Sequence, residues 1–169
     1  RVNSPFNLLK FMPGFELFGD LERKQVNDVL DNGVLMRYGF DGMRNGHWKS
    51  KELEKELEKS FQVSHVQLVS SGTAAVSIAL AAAGVGAGDE VIMPTFTFVA
   101  SFEAIMMLGA IPVLVDIDDT LTINPKSVEN AITAKTKAVM VVQMCGSMGN
   151  MDALQAICTK HKLLLRSGI

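Results

Sequence analysis

Apolar and polar positions divide this chain into two regions. In the first sixty residues the apolar side chains recur at helical spacing, as in Leu21–Leu30 and in Lys51–Ser60, where Leu53 and Leu57 lie four apart within a Glu/Lys run. Asp20 and Ser50 are the expected N-caps, Gly33 stops the first helix, and the Glu/Lys run reads as a solvated face. From His65 the pattern changes to short apolar runs separated by helices. The expected strands are His65–Val69, Glu90–Met93, Ile111–Ile117, Lys137–Gln143 and Lys162–Leu165. Between them fall helices at Thr73–Ala83, Thr97–Leu108, Pro125–Ile132 and Asp152–His161, the third with Asn124 as cap and Pro125 at its first position. Continuous apolar strands alternating with helices predict an α/β fold, a mostly parallel sheet covered on both faces in three layers, α/β/α.

Composition narrows the class. The 169 residues are 48% hydrophobic and carry 16 basic against 18 acidic side chains. That apolar share is enough for a core without disulfides or metal, and the charge balance offers no attraction to nucleic acid or an anionic membrane. The charges are uneven, with 10 Lys/Arg and 10 Asp/Glu in residues 1–60, so the remainder is the core-forming part. Residues 73–88 are too short and too rich in alanine and glycine to span a bilayer, which predicts a soluble chain. Two cysteines, Cys145 and Cys158, suit a reduced, cytoplasmic compartment. The organisation expected is an extension over residues 1–11, preceding the first methionine at Met12, a helical segment over 12–60, and a partial ligand-binding domain over 61–169. The closing Leu163-Leu164-Leu165 reads as a strand entering a core and then interrupted by Arg166-Ser167-Gly168-Ile169, so the chain is expected to be a piece of a longer protein.

One segment combines the features of an anion site. After Val66-Gln67-Leu68-Val69 come Ser70-Ser71-Gly72-Thr73 and then a helix, so that N–H groups at Gly72, Thr73 and Ala74 and the Ser71 and Thr73 hydroxyls could face a phosphate. An ordinary serine N-cap accounts for the same residues, and both readings stand at this point. The turn Gly84, Gly86, Gly88 follows a helix and lacks dinucleotide spacing, so it is a helix stop. His47, His65 and His161 are scattered, and the two cysteines are not a Cys-x-x-Cys pair, which predicts no metal site. Cys145 after a strand is either a reactive thiol or a small core residue.

Larger blocks carry a resemblance. Ser71-Gly72-Thr73-Ala74-Ala75, Gly86-Ala87-Gly88-Asp89-Glu90-Val91-Ile92, Pro94-Thr95-Phe96-Thr97-Phe98-Val99-Ala100, Val115-Asp116-Ile117-Asp118 and Met151-Asp152, in that order, are similar to the DegT/DnrJ/EryC1/StrS sugar aminotransferases. The resemblance implies the aspartate-aminotransferase fold (fold type I of the pyridoxal-phosphate enzymes), pyridoxal 5'-phosphate as cofactor, and transfer of an amino group, usually from glutamate, to a keto-sugar. It places the cofactor phosphate at Gly72 and Thr73, with Ser71 beside them, and a ring-stacking role at Phe98, for which a core phenylalanine is the plain alternative. Gln143 stands where the family often has histidine, and its role stays open.

The resemblance also implies a catalytic lysine beyond Ile169 and an acidic pair after Leu165, where this sequence has Arg166-Ser167. The chain alone is therefore expected to be inactive, and a non-catalytic relative or regulatory module of the same fold is the alternative. Met12–Gly19, Arg37–Gly46 and Met144–Met148 resemble the branch that aminates an eight-carbon sugar acid, 8-amino-3,8-dideoxy-manno-octulosonate, for lipopolysaccharide synthesis. That likeness suggests Arg37 and Arg44 as ligands of the substrate carboxylate, against the commoner case of surface arginines. Family members are homodimers, so the expected partners are a sugar substrate, an amino donor and a second copy of the chain.

Overall fold

Four parallel strands, β1 (Glu90–Pro94), β2 (Ile111–Val115), β3 (Thr136–Val142) and β4 (Leu164–Gly168), form a sheet in the order β2-β1-β3-β4. The computed structural model describes residues 17–168; the expected extension over residues 1–11 lies outside them. The described residues fall into two compact units, one ending at Leu68 and one beginning at Val69. The sheet and its helices belong to the second, and the sequence explains the arrangement. Val91, Ile92, Met93, Ala138, Val139, Met140 and Val141 are all at most 1% exposed, and such runs hide from water only when both faces of the strand are covered.

The helices of this unit are α3 (Gly72–Ala82), α4 (Val99–Met106), α5 (Pro125–Ala131) and α6 (Met151–His161). Alternation along the strands sends their side chains to opposite faces. On one face Val91, Met93, Ala138 and Met140 pack with Leu80 of α3 and Ile105 of α4. On the other, Ile92, Val139 and Val141 pack with Val128 of α5 and with Leu154 and Cys158 of α6. Three layers result, as the alternating pattern predicts. Pro112, which cannot donate to a ladder, lies in β2 at an edge of the described sheet.

Several boundaries differ from expectation. No strand forms at His65–Val69. Its backbone donors go elsewhere: Leu68 N–H donates to Glu54 Oε1 at 2.8 Å and Val66 N–H to Glu58 Oε1 at 3.2 Å, both on α2 (Lys49–Phe61). The Glu/Lys run is thus not wholly a solvated face, for Glu54 is 7% exposed while Leu53 is 49% exposed. α2 begins one residue before Ser50, and Glu52 Oε1 accepts from Trp48 N–H at 3.1 Å in place of a serine cap. Asp20 sits in the first turn of α1 (Asp20–Asn32) rather than capping it, and Glu22 reaches back to Gly19 N–H at 2.8 Å. Gly33 ends α1 as expected, at φ 71°.

In the second unit α4 starts two residues late because Phe98 is extended. β2 stops at Val115, after which Ile117 makes a single antiparallel bridge to Ile123. β4 begins two residues late because Lys162 closes α6 at φ 57°. That strand is not interrupted at Arg166: it stays paired with β3 through Met140–Arg166, Val141–Ser167 and Val142–Gly168.

Candidate functional site

The connections define where a ligand fits. β1 leads through α4 to β2 on one side, while β3 leads through α6 to β4 on the other and across the opposite face. Adjacent strands whose carboxyl ends diverge to opposite faces open a crevice, the usual ligand position in such sheets. In the second unit a cavity of about 410 Å³ is lined by Gly72, Thr73 and Val76 of α3 and by Phe98, Ala100 and Ser101 at the start of α4. Two helix N-termini therefore share one mouth, and their dipoles both favour an anion there.

The cap geometry of α3 sorts the donors. Ser71, extended at φ −163° and ψ 164°, accepts Ala74 N–H on its Oγ at 3.1 Å, and its carbonyl accepts Ala75 N–H at 3.0 Å. Ala74 is therefore spent on the cap and is not a free donor, a correction to the three N–H groups expected. Gly72 and Thr73 N–H have no acceptor among the described residues and belong to the cavity lining. Ser71 serves as helix cap through its oxygen and keeps its own O–H to donate. The Thr73 carbonyl is taken by Ser77 Oγ at 3.0 Å. At α4, the Ser101 and Thr97 hydroxyls pair at 2.9 Å, and Ser101 is 7% exposed.

Phe98 is 69% exposed and precedes α4 at the rim of the cavity, so the plain alternative of a buried core phenylalanine does not apply. A ring left this open offers a flat apolar face to a ligand. None of the six lining residues is titratable, so the electrostatic character of the mouth is set by backbone N–H groups and helix dipoles.

The two arginines lie in the first unit and have partners there. Arg37 Nη2 donates to both oxygens of Glu54, at 2.7 and 2.8 Å. That guanidinium, with Leu68 N–H, holds the Glu54 carboxyl below the usual carboxylate range. Arg44 is 8% exposed; it donates from Nε to the Gly39 carbonyl at 3.1 Å and from Nη2 to the Met36 carbonyl, and its guanidinium lies 4.4 Å from the Trp48 ring centre. Arg44 also borders a polar cavity of about 830 Å³ with Lys24, Asp28, Asn45 and Lys49.

Gln143, whose role the sequence left open, has its side chain on backbone and sulfur: Oε1 accepts Gly149 N–H at 2.8 Å and Nε2 lies 3.2 Å from Met151 Sδ. Of the cysteines, Cys158 is buried and desolvation raises its thiol pKa, whereas Cys145 is exposed. Among the described residues no group of three or more His, Cys, Asp and Glu side chains could hold a metal, and no helix is long and apolar enough to cross a membrane. Sequence reasoning missed Val76 and Ser101: Val76 follows Thr73 by one helical turn on α3, an i,i+3 spacing legible in the sequence, whereas only packing of α4 on α3 brings Ser101 to Thr73.

Fold and mouth together define a three-layer α/β/α protein with a crevice that is lined by two helix N-termini and rimmed by an aromatic ring. The chain belongs to the DegT/DnrJ/EryC1/StrS aminotransferase family, whose model matches residues 19–167. It is 38% identical over 145 residues to GDP-perosamine synthase of Vibrio cholerae, covering 85% of this chain and 37% of that protein. The crystal structure of 3-amino-5-hydroxybenzoic acid synthase superposes with a TM-score of 0.78 at 37% identity, over 88% of this chain and 37% of that one. NtdA from Bacillus subtilis, solved with bound cofactor PMP, superposes with a TM-score of 0.70 at 32% identity, over 85% of this chain and 33% of that one. The chain thus spans somewhat over a third of the length of the relatives it matches first.

Proposed function

We propose that this chain supplies the phosphate- and ring-binding part of a pyridoxal-phosphate-dependent aminotransferase acting on a sugar or cyclitol carbonyl. The observation that carries the reading is the pairing of two unclaimed N–H groups, Gly72 and Thr73, with the open Phe98 ring across one cavity. These residues fit a phosphate monoester joined to a flat heteroaromatic ring. Gly72 and Thr73 N–H would donate to phosphate oxygens, the Thr73 hydroxyl and the Ser71 O–H would add donors, and Phe98 would cover one ring face and exclude water from it. When bound, the cofactor supplies a carrier for the amino group and a sink for electrons.

The family further suggests glutamate as donor, a product destined for lipopolysaccharide, a cytoplasmic setting and a homodimer. The family's catalytic lysine falls on no position of this sequence, so the 169 residues by themselves are proposed to bind the cofactor without turning over. Arg37 and Arg44 do not enter the proposal, because Glu54 neutralises the first while carbonyls and Trp48 hold the second.

The test is a titration of the purified chain with pyridoxal 5'-phosphate, followed by ligand absorbance and by equilibrium dialysis. Saturable binding is expected, competed by inorganic phosphate and weakened severalfold in Thr73→Pro and Phe98→Ala. Binding that is unaffected by both substitutions would overturn the assignment of the mouth.

A further inference from the structure

The Phe98 ring borders the cavity at the N-termini of α3 and α4, yet the residue is 69% exposed. A side chain this open is not gripped by core packing, so where the ring stands depends on how its backbone is held. Phe98 is also the N-cap of α4 and has no side-chain acceptor to offer the opening turn. Its neighbours bind that turn instead. Ser101 N–H donates to the Phe98 carbonyl at 3.1 Å, and Thr97 O–H reaches the same oxygen at a long 3.4 Å. The Ser101 and Thr97 hydroxyls meet each other at 2.9 Å. Every proton fits one closed circuit: Ser101 O–H donates to Thr97 Oγ1, Thr97 O–H donates to the Phe98 carbonyl, and Ser101 N–H completes the loop on that carbonyl. Ser101 is buried and Thr97 half-buried, so water competes poorly for these bonds. The circuit holds the Phe98–Val99 peptide, and with it the extended φ −70° and ψ 142° of Phe98.

We propose that Thr97 and Ser101 are positioning residues: their paired hydroxyls clasp the Phe98 carbonyl and hold the ring at the mouth as a preformed stacking surface. The inference rests on the proposed function, since it assigns a role at that same site. Both hydroxyls are engaged with each other and with the Phe98 backbone, so they act through the ring. With the clasp removed, the Phe98 backbone samples other conformations and the ring covers the ligand for only part of the time. Apparent affinity then falls by the fraction of molecules that keep the ring in place. The loss is bounded by the worth of the ring itself, because a clasp that acts only on Phe98 cannot cost more than Phe98→Ala.

The experiment measures pyridoxal 5'-phosphate binding by the 169-residue chain and its variants, at a temperature where circular dichroism shows all of them folded. Thr97→Val keeps the shape and removes one hydroxyl, and Ser101→Ala removes the other. Each is expected to raise the dissociation constant about threefold. Thr97→Ser keeps the hydroxyl and is expected to stay within about twofold of wild type. In a Phe98→Ala background neither Thr97→Val nor Ser101→Ala is expected to weaken binding further, because the ring through which they act is gone. Inorganic phosphate, used as a competitor, is expected to keep its inhibition constant in Ser101→Ala. A clasp of merely structural value would lower the melting temperature and leave the dissociation constants of the folded variants unchanged, which overturns the proposal. Additive losses in the Phe98→Ala background overturn it too, as does a weaker inhibition by phosphate in Ser101→Ala, since that hydroxyl would then serve the phosphate directly. Absence of binding by the wild-type chain overturns the proposed function and this inference with it, whereas binding that Phe98→Ala weakens and the two hydroxyl variants leave intact removes this inference alone.

Discussion

Replacing Gly149 by alanine tests the packing that joins the β2–α5 and β3–α6 connections. The new Cβ would lie 2.5 Å from Thr122 Oγ1, 3.2 Å from Thr122 Cβ and 3.8 Å from Gln143 Oε1. The first separation is far inside van der Waals contact, and Thr122 has little room to yield. It is fully buried, and its hydroxyl shares a hydrogen with Thr120 Oγ1 at 2.7 Å, which in turn is held by Asp118. Overpacking of this kind costs about 1–3 kcal/mol. Against it, alanine gains about 0.4–1 kcal/mol by restricting the unfolded chain, since Gly149 lacks a left-handed φ that would penalise a side chain. The net expectation is a loss of about 1–2 kcal/mol, read in equilibrium urea unfolding as a midpoint about 0.5–1 M lower for an m-value near 2 kcal/mol/M. Thr122→Ala removes the clashing oxygen, so in the double variant the Gly149→Ala penalty should shrink by about 1 kcal/mol. An unshifted midpoint for Gly149→Ala, or strict additivity in the cycle, would refute the packing inferred here.

Other outcomes follow from the same geometry. Ser71→Ala removes the α3 cap and is expected to cost about 1 kcal/mol, a melting temperature lower by a few degrees in calorimetry. Leu154→Ala, at a fully buried position under β3, should cost about 2–5 kcal/mol in urea unfolding, and a loss below 1 kcal/mol would mean that α6 is not packed as described. Glu54→Gln should be less stable than wild type at neutral pH. The Glu54 carboxyl sits below its ordinary value of 4.5 in the folded chain, so its contribution is complete above that pH and disappears as pH falls through the lowered value; the two unfolding curves should converge in acid. A thiol reagent should titrate Cys145 quickly in the native chain and Cys158 only on unfolding, and two fast thiols would contradict the burial of α6.

How much of this was legible beforehand varies by element. Gly33, Asn124 with Pro125, and the strands at Glu90 and Thr136 were readable because caps and buried runs are written in neighbouring residues. His65–Val69 misled because its apolar residues look like a strand, whereas the fate of its N–H groups depends on Glu54 and Glu58, some ten residues earlier. The partners of the arginines were not legible for a similar reason. A guanidinium carries no sign in sequence of whether a distant carboxylate pairs with it, as Glu54 pairs with Arg37.

By itself the sequence determined the alternation of strands and helices, the glycine turn into α3 and the likeness to sugar aminotransferases, since these depend on local order and on the spacing of blocks along one chain. Only the tertiary structure decided which of the donors at Ser71–Ala74 remain free, that Phe98 and Ser101 meet Thr73 at one mouth, and that Gln143 holds Gly149. Each of those requires a particular strand order and face. Hydrogen-bond capacity is finite, and only the folded chain shows which groups have already spent theirs.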